Sequence, residues 1–165
     1  MERTSNQGLG ASPADPQATC GRPGCACALP IGERFVLWAV RQWQQDRALP
    51  IEDSALQRAF KCAGLLEVLP DFTIAMDAFM FGARRALRIH LPTCSTVSRD
   101  EAVLVALCGL AQADHDGPMM GSLEKLMVPA ASRVACLRLK SFAMGLAEVG
   151  FRLSPAPGEA GARLH

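Results

Sequence analysis

Ser98-Arg-Asp-Glu101-Ala-Val-Leu-Val-Ala-Leu-Cys-Gly-Leu-Ala-Gln112 decides the fold. A serine followed three residues later by glutamate is a capping box: each side chain satisfies a backbone amide that the first helical turn leaves open. Asp100 and Glu101 also sit at the positive end of the helix dipole. The residues behind them, Ala102 to Gln112, are apolar on nearly every side. A helix with no polar face is buried all round, so it belongs at the centre of a helical fold.

Other helices arrange themselves outward from this one. Upstream, Glu33 opens a strongly apolar helix carrying Phe35, Val36, Leu37, Trp38, Ala39, Val40 and Trp43, which Pro50 prevents from continuing. Asp53 or Ser54 caps a second helix through Ala63, stopped by Gly64. A third is expected from about Phe72 to Arg85, with Asp71 as its cap and Ile74, Ala75, Ala78 and Phe79 as its stripe. Leu87 to Cys94, bounded by Pro92, reads as an extended connector or short strand. Downstream, Asp114-His-Asp-Gly-Pro118 is a turn, followed by a short helix through Leu123, Leu126 and Met127. Pro129 opens the last long helix, which Gly150 and Phe151 close as a left-handed cap with its apolar clasp. The expectation is an all-α fold, a compact bundle of five or six helices over residues 31–151. Residues 1–30, rich in Cys, Pro and Gly, read as a flexible leader, and 152–165 as a flexible tail.

Composition narrows the function classes. A chain of 165 residues that is half hydrophobic and one-fifth charged is long enough to bury a core. Its net charge of +1 supplies no general attraction to nucleic acid or anionic membrane. No run reaches the roughly 18–20 apolar residues of a transmembrane helix. The first seventeen residues are polar, without the apolar stretch of an export signal, and the seven cysteines are an odd number. Both features point to reduced thiols and a cytoplasmic location.

The cysteines carry the clearest chemical potential. Cys20, Cys25 and Cys27 fall within eight residues of a glycine-rich loop, and zinc or an iron–sulfur cluster needs several soft ligands at once. His90 and Cys94 lie in the other non-helical segment and are the natural remaining ligands. The spacing, however, matches neither the paired motif of zinc ribbons nor the runs of ferredoxins. Cys62, Cys108 and Cys136 fall within helices and read as small apolar packing groups. Cys94 differs, because Arg84, Arg85, Arg88 and His90 nearby would favour its thiolate. The same three arginines form the basic run of the chain and are candidates for contact with an anion or an acidic partner. With no aromatic residues among them they argue against nucleic-acid binding. Trp43, near the polar end of the first helix, and Met119 and Met120, beside a Gly-Pro turn, are candidates for an interface.

Arg34-Phe-Val-Leu-Trp-Ala-Val-Arg-Gln-Trp43 and Ser98-Arg-Asp-Glu-Ala-Val-Leu-Val-Ala-Leu107, with Gln112, resemble segments of an uncharacterised family of small helical proteins found mostly in alphaproteobacteria. The resemblance spans about residues 33–150 and implies a bacterial, cytoplasmic, all-helical domain. It assigns no catalytic residue and leaves the cysteine leader outside. No nucleophile–base–acid set and no phosphate-binding loop stands in the sequence. The leading expectation is therefore a non-enzymatic helical module of accessory or regulatory duty, binding a protein partner or a second copy of itself. The alternative is a metal-binding or thiol-redox accessory protein using the N-terminal cysteines.

Overall fold

A computed structural model describes residues 24–47 and 54–155. Six α-helices make up the described fold: α1 (Ile31–Asp46), α2 (Ala55–Cys62), α3 (Leu69–Gly82), α4 (Arg99–Gln112), α5 (Asp116–Leu126) and α6 (Pro129–Glu148). Two short 3-10 turns, Ala26–Ala28 and Leu66–Val68, precede α1 and α3. The only strand-like pairings among the described residues are two isolated antiparallel bridges, Cys25 with Thr96 and Ala83 with Met127. The architecture is all-α, as the apolar periodicity requires. Residues 87–94 form an extended connector and no strand.

The capping box of α4 forms in full, with the Ser98 hydroxyl accepting from the Glu101 amide at 3.1 Å and the Glu101 carboxylate accepting from the Ser98 amide at 2.8 Å. From Asp100 to Gln112 no residue is exposed, so α4 lies inside the bundle, against α1, α5 and α6. The long α6 packs along α3, α4 and α5. Ser54 caps α2 by accepting from the Gln57 amide; Asp53, the other expected cap, lies outside the described residues. Gly150 closes α6 in the left-handed region (φ 86°), and the Phe151 amide reaches back to the Leu146 carbonyl. At the core, Phe60, Phe72 and Phe142 from α2, α3 and α6 meet with ring centroids 5.0–6.0 Å apart. Phe35 joins them to Phe151.

Several boundaries differ from expectation, among them the end of α3 at Gly82, short of Arg85, and the start of α5 at Asp116, inside the expected turn. Helix α3 begins at Leu69, three residues before Phe72, because the turn at Leu66–Val68 runs straight into it and Pro70 suits a first helical turn. Asp71 is therefore no cap; it holds Arg138 of α6 at 2.8 Å. At the N-terminus, residues 24–30 belong to the fold. The Ala26 amide donates to the Ser95 carbonyl (2.8 Å), the Val97 amide donates to the Gly24 carbonyl (3.0 Å), and Cys25 is buried. At the C-terminus, 152–155 dock as well. Gln112 donates to the Ala143 and Phe151 carbonyls and accepts from the Leu153 amide, while buried Glu33 accepts from Ser154. Gly109 has to be glycine for this path, since a Cβ there would run into the Ser154 carbonyl. The rest of the leader, with Cys20, and residues 156–165 lie outside the described residues.

Candidate functional site

Arg41 of α1 and Glu101 of α4 form an ion pair that is buried on both sides, with Arg41 Nε 2.8 Å from Glu101 Oε1 and Nη2 3.0 Å from Oε2. Two charges in a core are tolerated only when every lone pair and proton finds a partner. Here they do. Arg41 also donates to the carbonyls of Cys94 and Thr96, each at 2.6 Å. Glu101 also accepts from the amides of His90 (2.9 Å) and Ser98 (2.8 Å). Among the described residues no buried side-chain nitrogen or oxygen lacks a hydrogen-bond partner. Burial pushes the Glu101 carboxyl up, but the hydrogen bonds from Arg41, Ser98 and His90 together outweigh it and hold it below its ordinary value. The pair thus pins the connector 83–98 between the first and fourth helices.

That connector carries Cys94. Its Sγ lies 3.3 Å from the Thr96 hydroxyl and 3.6 Å from His90 Nδ1. The hydrogen bonds from the Thr96 side chain and backbone lower the thiol's pKa and outweigh burial, while the charges of Arg41 and Glu101 act in opposite directions on it. The docked N-terminal segment brings Cys27 to the same cavity as Cys94. Cys27 and Cys94 line one cavity of about 170 Å³, together with Arg34, Trp38, Arg41 and Pro92. Of the candidate ligands Cys20, Cys25, Cys27, His90 and Cys94, the structure brings His90 within 3.6 Å of Cys94 and puts Cys27 and Cys94 on one cavity. Cys25 is buried opposite Thr96, while Cys27 and Cys94 share the cavity. Among the described residues no three His, Cys, Asp or Glu side chains converge as a metal ion would need, and Cys20 lies outside them.

The buried cysteines behave as packing groups: burial pushes Cys108 up to about 12 and raises Cys136. Cys62 is exposed on α2, not packed as expected.

The arginine run disperses. Arg85 makes paired hydrogen bonds to Asp100, whose other contact is the Arg88 amide at 2.8 Å. Arg84 turns to the Glu124 carbonyl. The expectation of an anion-binding run is thus corrected for Arg85, which serves an internal carboxylate; Arg88 is exposed. The Arg85 hydrogen bonds, aided by the Arg88 amide and opposed by burial, bring the Asp100 carboxyl down to about 2. A carboxyl depressed in the folded state stabilises above its unfolded pKa and loses that contribution as pH falls toward the folded one. The fold is therefore expected to lose about 1–2 kcal/mol between about pH 4 and pH 2 from this group, its exposed Arg85 end being screened by water. Urea midpoints measured against pH check this, and Asp100→Asn should flatten the acid limb.

Two interface candidates are corrected. Trp43 is 5 % exposed and Met119 fully buried, so neither presents a surface, and Met120 is half-buried against the core. Trp43 is the buried tryptophan, while Trp38 is half-buried against the core and lines the thiol cavity. Trp43 is covered by Arg47, whose guanidinium stands 4.9 Å from its ring and 5.7 Å from that of Phe81.

The exposed apolar surface lies elsewhere. An open groove of about 430 Å³ runs between α3 and α6, lined by Ile74, Ala78, Phe81, Val128, Ala131 and Val134. Phe81 is 79 % exposed at its rim, and Leu137 and Met144 stand exposed farther along α6. Of the stripe expected on α3, Ile74 is exposed and lines this groove, while Ala78 packs against the core and reaches the groove at its edge. Sequence reading missed the surface because the small, apolar faces of α3 and α6 look alike whether they pack inward or outward. It missed the Arg41–Glu101 pair because an arginine followed by Gln42, Gln44 and Gln45 looks like part of a solvated helix face. Among the described residues no helix is long and apolar enough to cross a membrane. Comparison with protein-family models, curated proteins and solved structures finds no match to the chain.

Proposed function

We propose that the chain is a non-enzymatic interaction module, and that the groove between α3 and α6 is where it meets its partner. The supporting observation is Phe81. A large aromatic side chain left 79 % exposed beside a continuous apolar groove costs solvation that burial in an interface recovers. Trp43, Met119 and Met120 take no part in this surface. The accessory or regulatory duty, and the cytoplasmic setting drawn from the odd cysteine count, belong to the same proposal.

A second copy of the chain is the first partner to test. Mass measured by light scattering is expected to rise from the 17.6 kDa of the single chain as concentration increases. Phe81→Ser combined with Val134→Ser should hold the protein at the single-chain mass while its helical circular dichroism persists. These are surface positions, expected to change stability by no more than about 0.5 kcal/mol each. A constant single-chain mass for the native protein and the variant alike counts against self-association through this groove.

A further inference from the structure

We propose that Cys94 and Cys27 are a peroxide-responsive thiol pair, Cys94 being oxidised first and Cys27 closing a disulfide onto it. The inference is independent of the α3–α6 groove and rests on backbone register and on the chemistry of one cavity.

The register comes from the docked N-terminal segment. The amide hydrogen bonds from Ala26 to Ser95 and from Val97 to Gly24 make Cys25 and Thr96 a non-hydrogen-bonded antiparallel pair. In such a pair the two backbones approach most closely, at a Cα separation of about 4.5 Å. Two residues farther along each segment stand Cys27 and Cys94, the next position of the same kind. The chain turns into its 3-10 turn at Ala26–Ala28, so the ladder ends there, but both side chains still line the same cavity. A disulfide needs Cα atoms within about 4.4–6.8 Å, and the cross-link asks the turn at Ala26–Ala28 to hold Cys27 within that range of Cys94.

The chemistry separates the roles. Cys94 has a hydroxyl at 3.3 Å and an imidazole nitrogen at 3.6 Å; the hydrogen bonds from Thr96 favour its thiolate, while Arg41 adds little because Glu101 offsets it. Arg34 adds a second guanidinium to the cavity wall. Cys94 is partly exposed and Cys27 exposed, which admits a small oxidant. In the first step the Cys94 thiolate attacks a hydroperoxide; an S–O bond forms, the O–O bond breaks, and the alcohol or water leaves after taking a proton. In the second the Cys27 sulfur attacks the Cys94 sulfenic acid; the S–S bond forms, the S–O bond breaks, and water leaves with the thiol proton. Two thiols lose two electrons and one peroxide gains them. The product ties the N-terminal segment covalently to the connector that Arg41 and Glu101 hold.

The test uses the full chain, reduced, freed of metal by chelation and treated with equimolar hydrogen peroxide. The intact mass should fall by two hydrogens, and peptide mapping without reductant should yield a Cys27–Cys94 cross-link. Cys27→Ser should stop at a Cys94 sulfenic acid that dimedone traps. Alkylation of Cys94 near neutral pH should exceed that of exposed Cys62 by about tenfold, a readout that needs no variant to fold. Cys94 reacting no faster than Cys62, or a cross-link to Cys20 in place of Cys27, overturns the proposal.

Discussion

Replacing Arg41 by alanine is expected to lower unfolding free energy by about 3–5 kcal/mol, the cost of leaving a buried carboxylate without its cation. Against a total stability of about 5–15 kcal/mol this brings the chain close to unfolding, and far-UV circular dichroism in urea reads the loss. The more informative variant combines Arg41→Met with Glu101→Leu. Exchanging an ordinary buried ion pair for apolar residues is often neutral or stabilising. Here the pair also serves four backbone groups: the carbonyls of Cys94 and Thr96 and the amides of His90 and Ser98. The Thr96 carbonyl keeps His90 Nδ1 at 3.2 Å and water, but each of the other three left buried without a partner costs about 1–3 kcal/mol. The double variant is therefore expected to stay destabilised by several kcal/mol, with faster amide exchange across the connector 83–98. Native-like stability in the double variant would show that the connector is held by other contacts and that the pair is dispensable once removed as a whole.

The same pair shows where sequence reading succeeds and where it stops. Features set by residues three or four apart were legible: the capping box at Ser98 and Glu101, the Ser54 cap, Pro129 at the start of α6, and Gly150 with Phe151 at its end. Each is decided within one helical turn, so the neighbouring residues contain the whole argument. Features set by distant partners were not. Glu101 meets Arg41 sixty residues away, and Asp71 meets Arg138 sixty-seven residues away. No periodicity distinguishes an arginine that enters the core to hold a carboxylate from one that faces water. The N-terminal segment failed for a related reason. Its composition denies it an apolar core of its own, yet residues 24–30 are held by backbone hydrogen bonds to Ser95 and Val97, which any composition can make. That Cys27 and Cys94 line one cavity follows from their places in the two non-helical segments. The intervening agents, the Cys25–Thr96 pairing and the Arg41 clamp, were not foreseen.

Phe60→Ala is expected to cost about 3–5 kcal/mol, because it empties the point where four elements meet. The ring is fully buried, with centroids 5.4 Å from Phe35 of α1, 5.4 Å from Phe72 of α3 and 6.0 Å from Phe142 of α6. Aromatic contacts of this kind add about 0.5–1.5 kcal/mol each beyond area burial, so the alanine variant loses more than a cavity. Helix α2 gives the experiment its second readout. It spans eight residues and buries only Leu56 and Phe60, so Phe60 is its principal anchor. An eight-residue helix has little stability of its own and holds its shape through packing. Removal of the ring should therefore expose the α2 amides to exchange and also lower the global urea midpoint, since Phe142 and Phe72 lose a neighbour. Phe60→Leu, which keeps most of the volume, is expected to cost less than about 1.5 kcal/mol and to leave α2 protected. Loss of α2 protection with no change in midpoint would mean that α2 opens as a separate unit, and that α1, α3 and α6 close the aromatic core without it.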